Sequence, residues 1–346
     1  MKKDFILRAG HNPVSGYKKL IQKTFSILKN DFNLTFLTLD GAPNNFLGET
    51  NKLTKDNFGA KELIITPLLL DRYSSLINCL PDKSNLNIFT MWESSMLPKF
   101  PVEEFNYLNG KIMVPSKWNK AVFERSGVKN VVHCPMFVDD KIFKFKKKKN
   151  LKTFTFLAGA CGSFETGNSR RKNLDIILSA FSKAFRNIKD VQLIFKVSQM
   201  DRKNIGLLLD DRINFLTDNF TDEQISECIC ESDVFVSGSK AEGWGFFQIE
   251  SLAVGRPVIT VDYGGVKDFC NSDNSFFIDF EEELASGAWG KNGGLWANIK
   301  EESLAEKMFH CYKNKDTIRN NWQKYSKSVL PTFSIDNFKK NLLFNL

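Results

Sequence analysis

Between Ala241 and Gly265 the chain reads AEGWGFFQIESLAVGRPVITVDYGG, and no other stretch restricts the fold as much. Glu242 stands in a glycine-punctuated loop, followed by an apolar helix that carries Glu250. Gly255, Arg256 and Pro257 end that helix and lead into a strand-like run from Val258 to Val261. Loop, helix and strand in this order make one unit of a layered α/β domain. If the helix starts near Gly245, 100° per residue makes Gln248 and Ser251 its polar pair and puts Glu250 on a face with Phe246, Ala253 and Val254. A carboxylate there is costly unless donors meet it, and a sugar diol supplies such donors. Glu242, next to the free amides of the helix start, is placed to take a second set of hydroxyls.

The string EGWGFFQIE followed by SLAVGRPVI resembles the paired-glutamate signature (E, seven residues, E) of retaining GT-B glycosyltransferases of the family 4, or group 1, type. The usual form has proline where this chain has Phe247. The resemblance implies an α/β chain with two Rossmann-like domains facing each other across a deep cleft. It also implies transfer of a hexosyl group, with retention and without a metal, from a UDP- or GDP-linked sugar to an acceptor hydroxyl. Glu242 would then meet the donor sugar and Glu250 the ribose, with Gly243, Trp244, Gly245 and Phe246 lining the donor site.

At 346 residues the chain exceeds the size at which single cores stop growing, so two domains are expected. The expected division is an acceptor-binding domain over 1–145, a donor-binding domain over 146–330, and a helix over 331–346 that returns to the first domain. The longest apolar run, Leu63 to Leu70, is interrupted by Thr66 and Pro67 and is too short to span a membrane. The start, MKKDFILRAGH, makes a poor signal peptide, and seven cysteines without a CxxC pair suit reduced thiols; the expected location is cytoplasmic. Residues 1–150 hold 24 Lys+Arg against 14 Asp+Glu, a net of +10, which leaves −2 of the total +8 for the remainder. A basic first half allows a polyanionic partner: nucleic acid, a phosphorylated glycan, or an anionic membrane with the protein peripheral to it.

The first half alternates strands (Phe5–Leu7, Leu34–Leu39, Glu62–Ile65, Ile112–Val114, Val131–His133) with helices over Tyr17–Leu28, around Arg72–Leu80 and over Lys117–Ser126. His11, Ser15 and Gly16 occupy the loop before the first helix, and Ser15-Gly16-Tyr17 resembles the family's acceptor loop. The strand Asn87–Thr90 leads into Met91-Trp92-Glu93-Ser94-Ser95, so Glu93 is expected at the carboxyl edge of a parallel sheet, where such folds bind ligands. TMWES is similar to a string that some of these transferases carry facing the inter-domain cleft, and that resemblance implies a role for Glu93 in acceptor or sugar binding. Lys141 to Asn150, with four consecutive lysines, reads as a solvated linker.

In the second half, strands are expected at Thr153–Leu157, Val191–Val197, Arg212–Leu216 and Val234–Val236, with helices over Asn173–Ala184, near Lys203–Leu209 and over Asp222–Cys230. Ser169-Arg170-Arg171-Lys172-Asn173 puts cations at a helix N-terminus, which the macrodipole disfavours unless an anion joins them. That points to a diphosphate. Arg171-Lys172 resembles the family's phosphate-gripping pair, with Arg170 or Arg171 as the second ligand. Val197 and Thr217 lie on loops that could read the base. No DxD motif occurs, and no residues are assigned to a metal. Two rival readings share the architecture: a non-catalytic nucleotide- or glycan-binding module, and a nucleotide-sugar epimerase.

Overall fold

Strands form in this chain where short runs are apolar at successive positions, the pattern of parallel strands covered on both faces. The structure, a computed structural model, describes residues 2–10, 15–39, 60–67, 86–159, 171–199, 202 and 210–346. The chain divides into two compact units. One holds Met1–Met136, Ala288–Gly294 and Phe338–Leu346; the other holds Phe137–Gly287 and Leu295–Asn337.

The first unit contains β1 (Asp4–Ala9), β2 (Asn33–Thr38), β3 (Lys61–Ile65), β4 (Leu86–Phe89), β5 (Ile112–Val114) and β6 (Val131–His133). They lie in the order β2-β1-β3-β4-β5-β6 with every neighbouring pair parallel. The helices described there before β6 are α1 (Ser15–Asp31), α2 (Lys99–Tyr107) and α3 (Lys117–Arg125). Ser116 caps α3 by accepting the Asn119 amide at 3.1 Å. Ile64, Ile88, Ile112, Val114, Val122 and Phe123 are at most 1% exposed and pack into one core with Trp92 and Leu97.

In the second unit, β7 (Phe154–Gly159), β8 (Val191–Lys196), β9 (Ile213–Leu216), β10 (Val234–Val236), β11 (Val258–Thr260) and β12 (Ser275–Phe277) form a second all-parallel sheet in the order β12-β11-β10-β7-β8-β9. The chain starts in the middle at β7, runs outward through β8 and β9, then returns to the other side of β7 with β10. Among the described residues its helices are α4 (Leu174–Ala184), α5 (Asp222–Cys230), α6 (Phe246–Val254), α7 (Glu301–Lys313) and α8 (Lys315–Val329). A separate antiparallel pair, β13 (Phe280–Leu284) with β14 (Leu295–Ile299), follows the sheet.

The helix α9 (Ile335–Asn345) ends the chain, and its residues from Phe338 onward belong to the first unit. Phe338 and Leu342 are buried there, whereas Phe344 is 86% exposed. The lysine-rich segment is a departure from expectation. Lys148 is 7% exposed and donates to Asp233 at 2.6 Å and to Thr155 at 2.9 Å; Lys146 donates to Ser226 at 3.2 Å. Phe143 anchors the same segment with 1% exposure, so it is stitched to the second unit and is not a solvated linker. The helices expected near Arg72–Leu80 and Lys203–Leu209 fall outside the described residues. The described cysteines, Cys134, Cys228, Cys230, Cys270 and Cys311, are free thiols.

Candidate functional site

The strand order of the second sheet reverses between β7 and β10, and open α/β sheets bind ligands at the carboxyl ends beside such a reversal. The loop after β10 carries Glu242, and Lys172 reaches it from the start of α4. Two features make that approach possible. Gly238 has no side chain, and a Cβ there would stand 3.0 Å from the Lys172 carbonyl oxygen and 3.1 Å from that of Asn173. Asn173 adopts the left-handed conformation (φ 47°), which asparagine tolerates better than most residues, and donates its amide to the Gly238 carbonyl at 3.0 Å. The Arg171 carbonyl also accepts the Lys240 amide at 2.8 Å.

Glu242 sits among donors. Lys172 Nζ donates to its Oε1, Ser239 Oγ donates to the same oxygen at 2.7 Å, and Arg171 Nη1 lies 3.3 Å from Oε2. Arg171 also donates to the Ala241 carbonyl at 2.5 Å. Burial pushes the Glu242 carboxyl upward, but the charges of Lys172 and Arg171 and the bonds from Lys172 and Ser239 outweigh it and hold the pKa at about 2. Glu242 is therefore a fixed anion, strong as an acceptor of hydrogen bonds and weak as a base.

A second glycine turn supports this loop from behind. The Gly265 amide donates to the Glu242 carbonyl at 2.7 Å. A Cβ on Gly265 would stand 2.1 Å from the Gly243 carbonyl oxygen, and one on Gly264 (φ 84°) 2.8 Å from that of Glu242. The run Asp262-Tyr263-Gly264-Gly265 thus acts as a brace for the loop that presents the carboxylate.

Glu250 is 2% exposed on α6, in the same segment. The polar pair read for that helix is not on a solvent face: Gln248 is 3% and Ser251 0% exposed, because α6 is covered along its whole length from Gln248 to Val254. Gln248 donates to Ser237 at 3.0 Å and Ser251 to the Phe247 carbonyl at 2.7 Å, so each polar group is satisfied locally. Gly245 begins α6 in a left-handed conformation (φ 103°). Trp244 is 2% exposed between Phe269 and Phe333, which places its ring in the core. Phe246 is half-buried against Phe137 at 5.9 Å. Val197 is buried and its amide donates to the Leu216 carbonyl at 3.0 Å, while Thr217 is half-buried. Arg170 lies outside the described residues.

In the first unit, the sheet reverses between β1 and β3, beside the start of α1 where Ser15 and Gly16 lie. Glu93 follows β4, next in the sheet, and is half-buried. Its loop is held on three sides. Tyr17 Oη accepts the Met91 amide at 3.2 Å, Asn119 accepts the Trp92 amide at 2.7 Å, and Ser94 donates to the Trp289 carbonyl at 2.7 Å. The Trp92 and Trp289 rings lie 6.2 Å apart. Burial, with the charge of Glu93 adding to it, pushes the Tyr17 phenol far above its usual range. His11 lies outside the described residues.

Sequence reasoning passed over Ser239, Asn173, Gly238 and the bracing role of Gly264 and Gly265. A serine three residues before a loop glutamate carries no signal alone, whereas the glycines stood in plain view as turn residues without a stated partner.

Comparison with known proteins bears on the fold and on the second unit. Residues 156–314 match the family profile described as glycosyl transferases group 1. Over 147 residues the chain is 27% identical to the O-antigen biosynthesis glycosyltransferase WclY of Escherichia coli, a match covering 40% of this chain and 38% of that relative. Among solved structures, HepE of Anabaena, determined with UDP and glucose, is similar with a TM-score of 0.69 at 14% identity and covers 99% of both chains. Sucrose-phosphate synthase from Thermosynechococcus elongatus is similar with a TM-score of 0.70 at 13% identity over 99% of this chain and 98% of that one. Two Rossmann-like units with parallel sheets, together with these neighbours, define the fold as GT-B. Among the described residues no helix is long and apolar enough to cross a membrane.

Proposed function

We propose that the protein is a glycosyltransferase that moves a hexosyl group from a UDP- or GDP-linked sugar to an acceptor hydroxyl, with retention and without a metal. The observation that carries this reading is the Lys172, Arg171, Ser239 and Glu242 cluster at the carboxyl edge of the second sheet, beside its reversal. The match of residues 156–314 to glycosyl transferases group 1 covers that cluster and supports the reaction class. The UDP and glucose bound in the HepE structure favour a nucleotide sugar as donor.

The chemistry follows from the groups present. Breaking the bond between a sugar and a nucleoside diphosphate builds positive charge on the ring and negative charge on the leaving phosphate. Lys172 is the cation placed to stabilise that leaving charge, and a preorganised cation in a part-buried site needs no reorganisation as the charge develops. Arg171 is tied to Ala241 and Glu242, so its work is to hold the loop in place. Glu242, ionised throughout the neutral range, accepts hydroxyls of the donor sugar and orients it. With a pKa near 2 it is a poor proton acceptor, so the proton of the attacking hydroxyl goes elsewhere, and the departing phosphate is the acceptor this reading favours. Glu250 takes the ribose hydroxyls, and Glu93 serves the acceptor side. The O-antigen role named for WclY favours a saccharide acceptor, with a phosphorylated glycan or an anionic lipid suiting the basic first half.

Incubation with UDP-glucose, UDP-galactose, UDP-N-acetylglucosamine and GDP-mannose, with release of nucleoside diphosphate as the readout, tests the proposal. One donor should be turned over, Glu242→Ala should reduce the rate by at least a hundredfold, and a chelator should leave it unchanged. Absence of turnover together with tight nucleotide binding would favour the non-catalytic module.

A further inference from the structure

Strand β8 ends on a cation that the cluster around Glu242 does not use. Lys196 is 8% exposed. Among the described residues its Nζ donates to the Val197 carbonyl at 3.3 Å, lies 5.1 Å from the Phe220 ring centroid and acts electrostatically on the Cys228 thiol. No described carboxylate pairs with it. Lys148, buried to the same degree, shows what a finished arrangement looks like: Asp233 at 2.6 Å, Thr155 at 2.9 Å and the Thr153 carbonyl at 2.9 Å. An ammonium has three donors, and burying one with two of them unused is expensive unless an acceptor arrives from outside.

The position of Lys196 narrows what that acceptor is. Lys196 pairs in register with Gly159, the last residue of β7. A Cβ on Gly159 would stand 3.3 Å from the Lys196 carbonyl oxygen, 3.4 Å from Phe247 Cζ and 3.5 Å from Lys196 Cβ, so Lys196 and Phe247 both close on the end of β7. Phe247 lies on α6, three residues before Glu250. In the order β10-β7-β8 the lysine is two strands from the strand that leads to Glu242, which at the usual spacing is about 10 Å along the sheet edge. A nucleotide with its phosphates at Lys172 and its ribose at Glu250 would bring its base to this end.

We propose that Lys196 selects the base of the donor nucleotide. Its ammonium donates to a keto oxygen, O4 of uracil or O6 of guanine, beside the Phe220 ring. Cytosine and adenine present an amine at the corresponding edge position, and two donors then face each other. The proposal rests on the nucleotide-sugar reading given above and adds to it a residue that sets which nucleotide is accepted.

Calorimetric binding of UDP, GDP, CDP, ADP and inorganic pyrophosphate to the full chain tests it, with Lys196→Met and Lys196→Gln as variants whose folding is checked by thermal melting. The wild type should bind UDP or GDP at least tenfold more tightly than CDP and ADP. Lys196→Met should weaken the preferred nucleotide about ten- to a hundredfold, the worth of a hydrogen bond to a charged donor, and leave pyrophosphate unchanged. Lys196→Gln, whose carbonyl can accept from an amine, should narrow the gap between keto and amino bases. Equal weakening of every nucleotide and of pyrophosphate would put the ammonium on the phosphates, and no weakening would make it structural; either result overturns the proposal. Should the variants fail to fold, wild-type binding of CDP and ADP as tight as UDP and GDP overturns it alone. Nucleotide binding without discrimination leaves the transferase reading standing, whereas no binding of any nucleotide removes both.

Discussion

At the scale of single residues the second unit is organised around one anion. Glu242 has a pKa of about 2 against an ordinary 4.5, so the folded state favours its ionised form. A depressed carboxyl contributes stability that is complete above the unfolded pKa and is lost as pH falls through the folded one. The window is therefore roughly pH 4.5 down to 2, and the contribution is on the order of 3 kcal/mol. Glu242→Gln should be less stable than wild type by a constant amount above pH 5, with the difference shrinking below 4.5; urea midpoints across that range measure it. A gap that stays unchanged down to pH 3 would mean that the cations do not act on this carboxylate. Gly265 makes a separate test of the brace. Adding a methyl group 2.1 Å from a carbonyl oxygen forces backbone to move, so Gly265→Ala should lower the melting temperature and slow donor turnover together. Loss of stability with full turnover would separate the brace from the site.

Elements show where sequence patterns were readable and where they were not. Lys172 and Glu242 could be picked out because charges at a helix start and in a glycine loop need a reason to be there. Lys196 and Lys148 could not, because a lysine at a strand end or in a run of lysines has the same letters whether it is solvated or buried. Gln248 and Ser251 misled for a related reason: periodicity assumes one face meets water, and α6 is buried at every position from Gln248 to Val254. Asp233 settles the fate of the lysine run. It is fully buried, accepts from Lys148 at 2.6 Å and from Arg319 at 2.8 Å, and receives the Thr155 amide at 2.8 Å, so one carboxylate joins the segment before β7, the strand itself and α8. Desolvation lowers the Lys148 pKa although Asp233 works against it. Breaking such a group by removing one partner leaves two cations uncompensated, which typically costs about 3–5 kcal/mol. Asp233→Asn should show that loss in equilibrium unfolding, while a Lys148→Met change, which removes a charge along with its need for a partner, should cost less. The reverse order would mean that the lysine, not the aspartate, organises the junction.

At the scale of the whole molecule the chain visits its first unit three times, with residues 1–136, 288–294 and 338–346. The unit is thus incomplete until the last helix has been made. Phe338 and Leu342 are 1% and 0% exposed within it, Lys339 pairs with Asp31 at 2.8 Å, and Lys61 donates to the Leu346 carbonyl at 2.5 Å. The two buried side chains outweigh the exposed polar contacts: removing large core side chains costs about 2–5 kcal/mol each, against less than about 1 kcal/mol for an exposed ion pair. A chain ending at Asn337 should therefore lose most of the stability of the first unit while the second, which ends at that residue, keeps its own. Hydrogen exchange followed by mass spectrometry should find faster exchange over β1 to β6 and unchanged protection over β7 to β12. Replacing Phe338 and Leu342 by alanine in the full chain should reproduce the effect, and Lys339→Ala should not. Uniform loosening of both sheets would mean that the two units fold as one cooperative body, in which case a mutation in the basic first unit would reach Glu242 through stability alone.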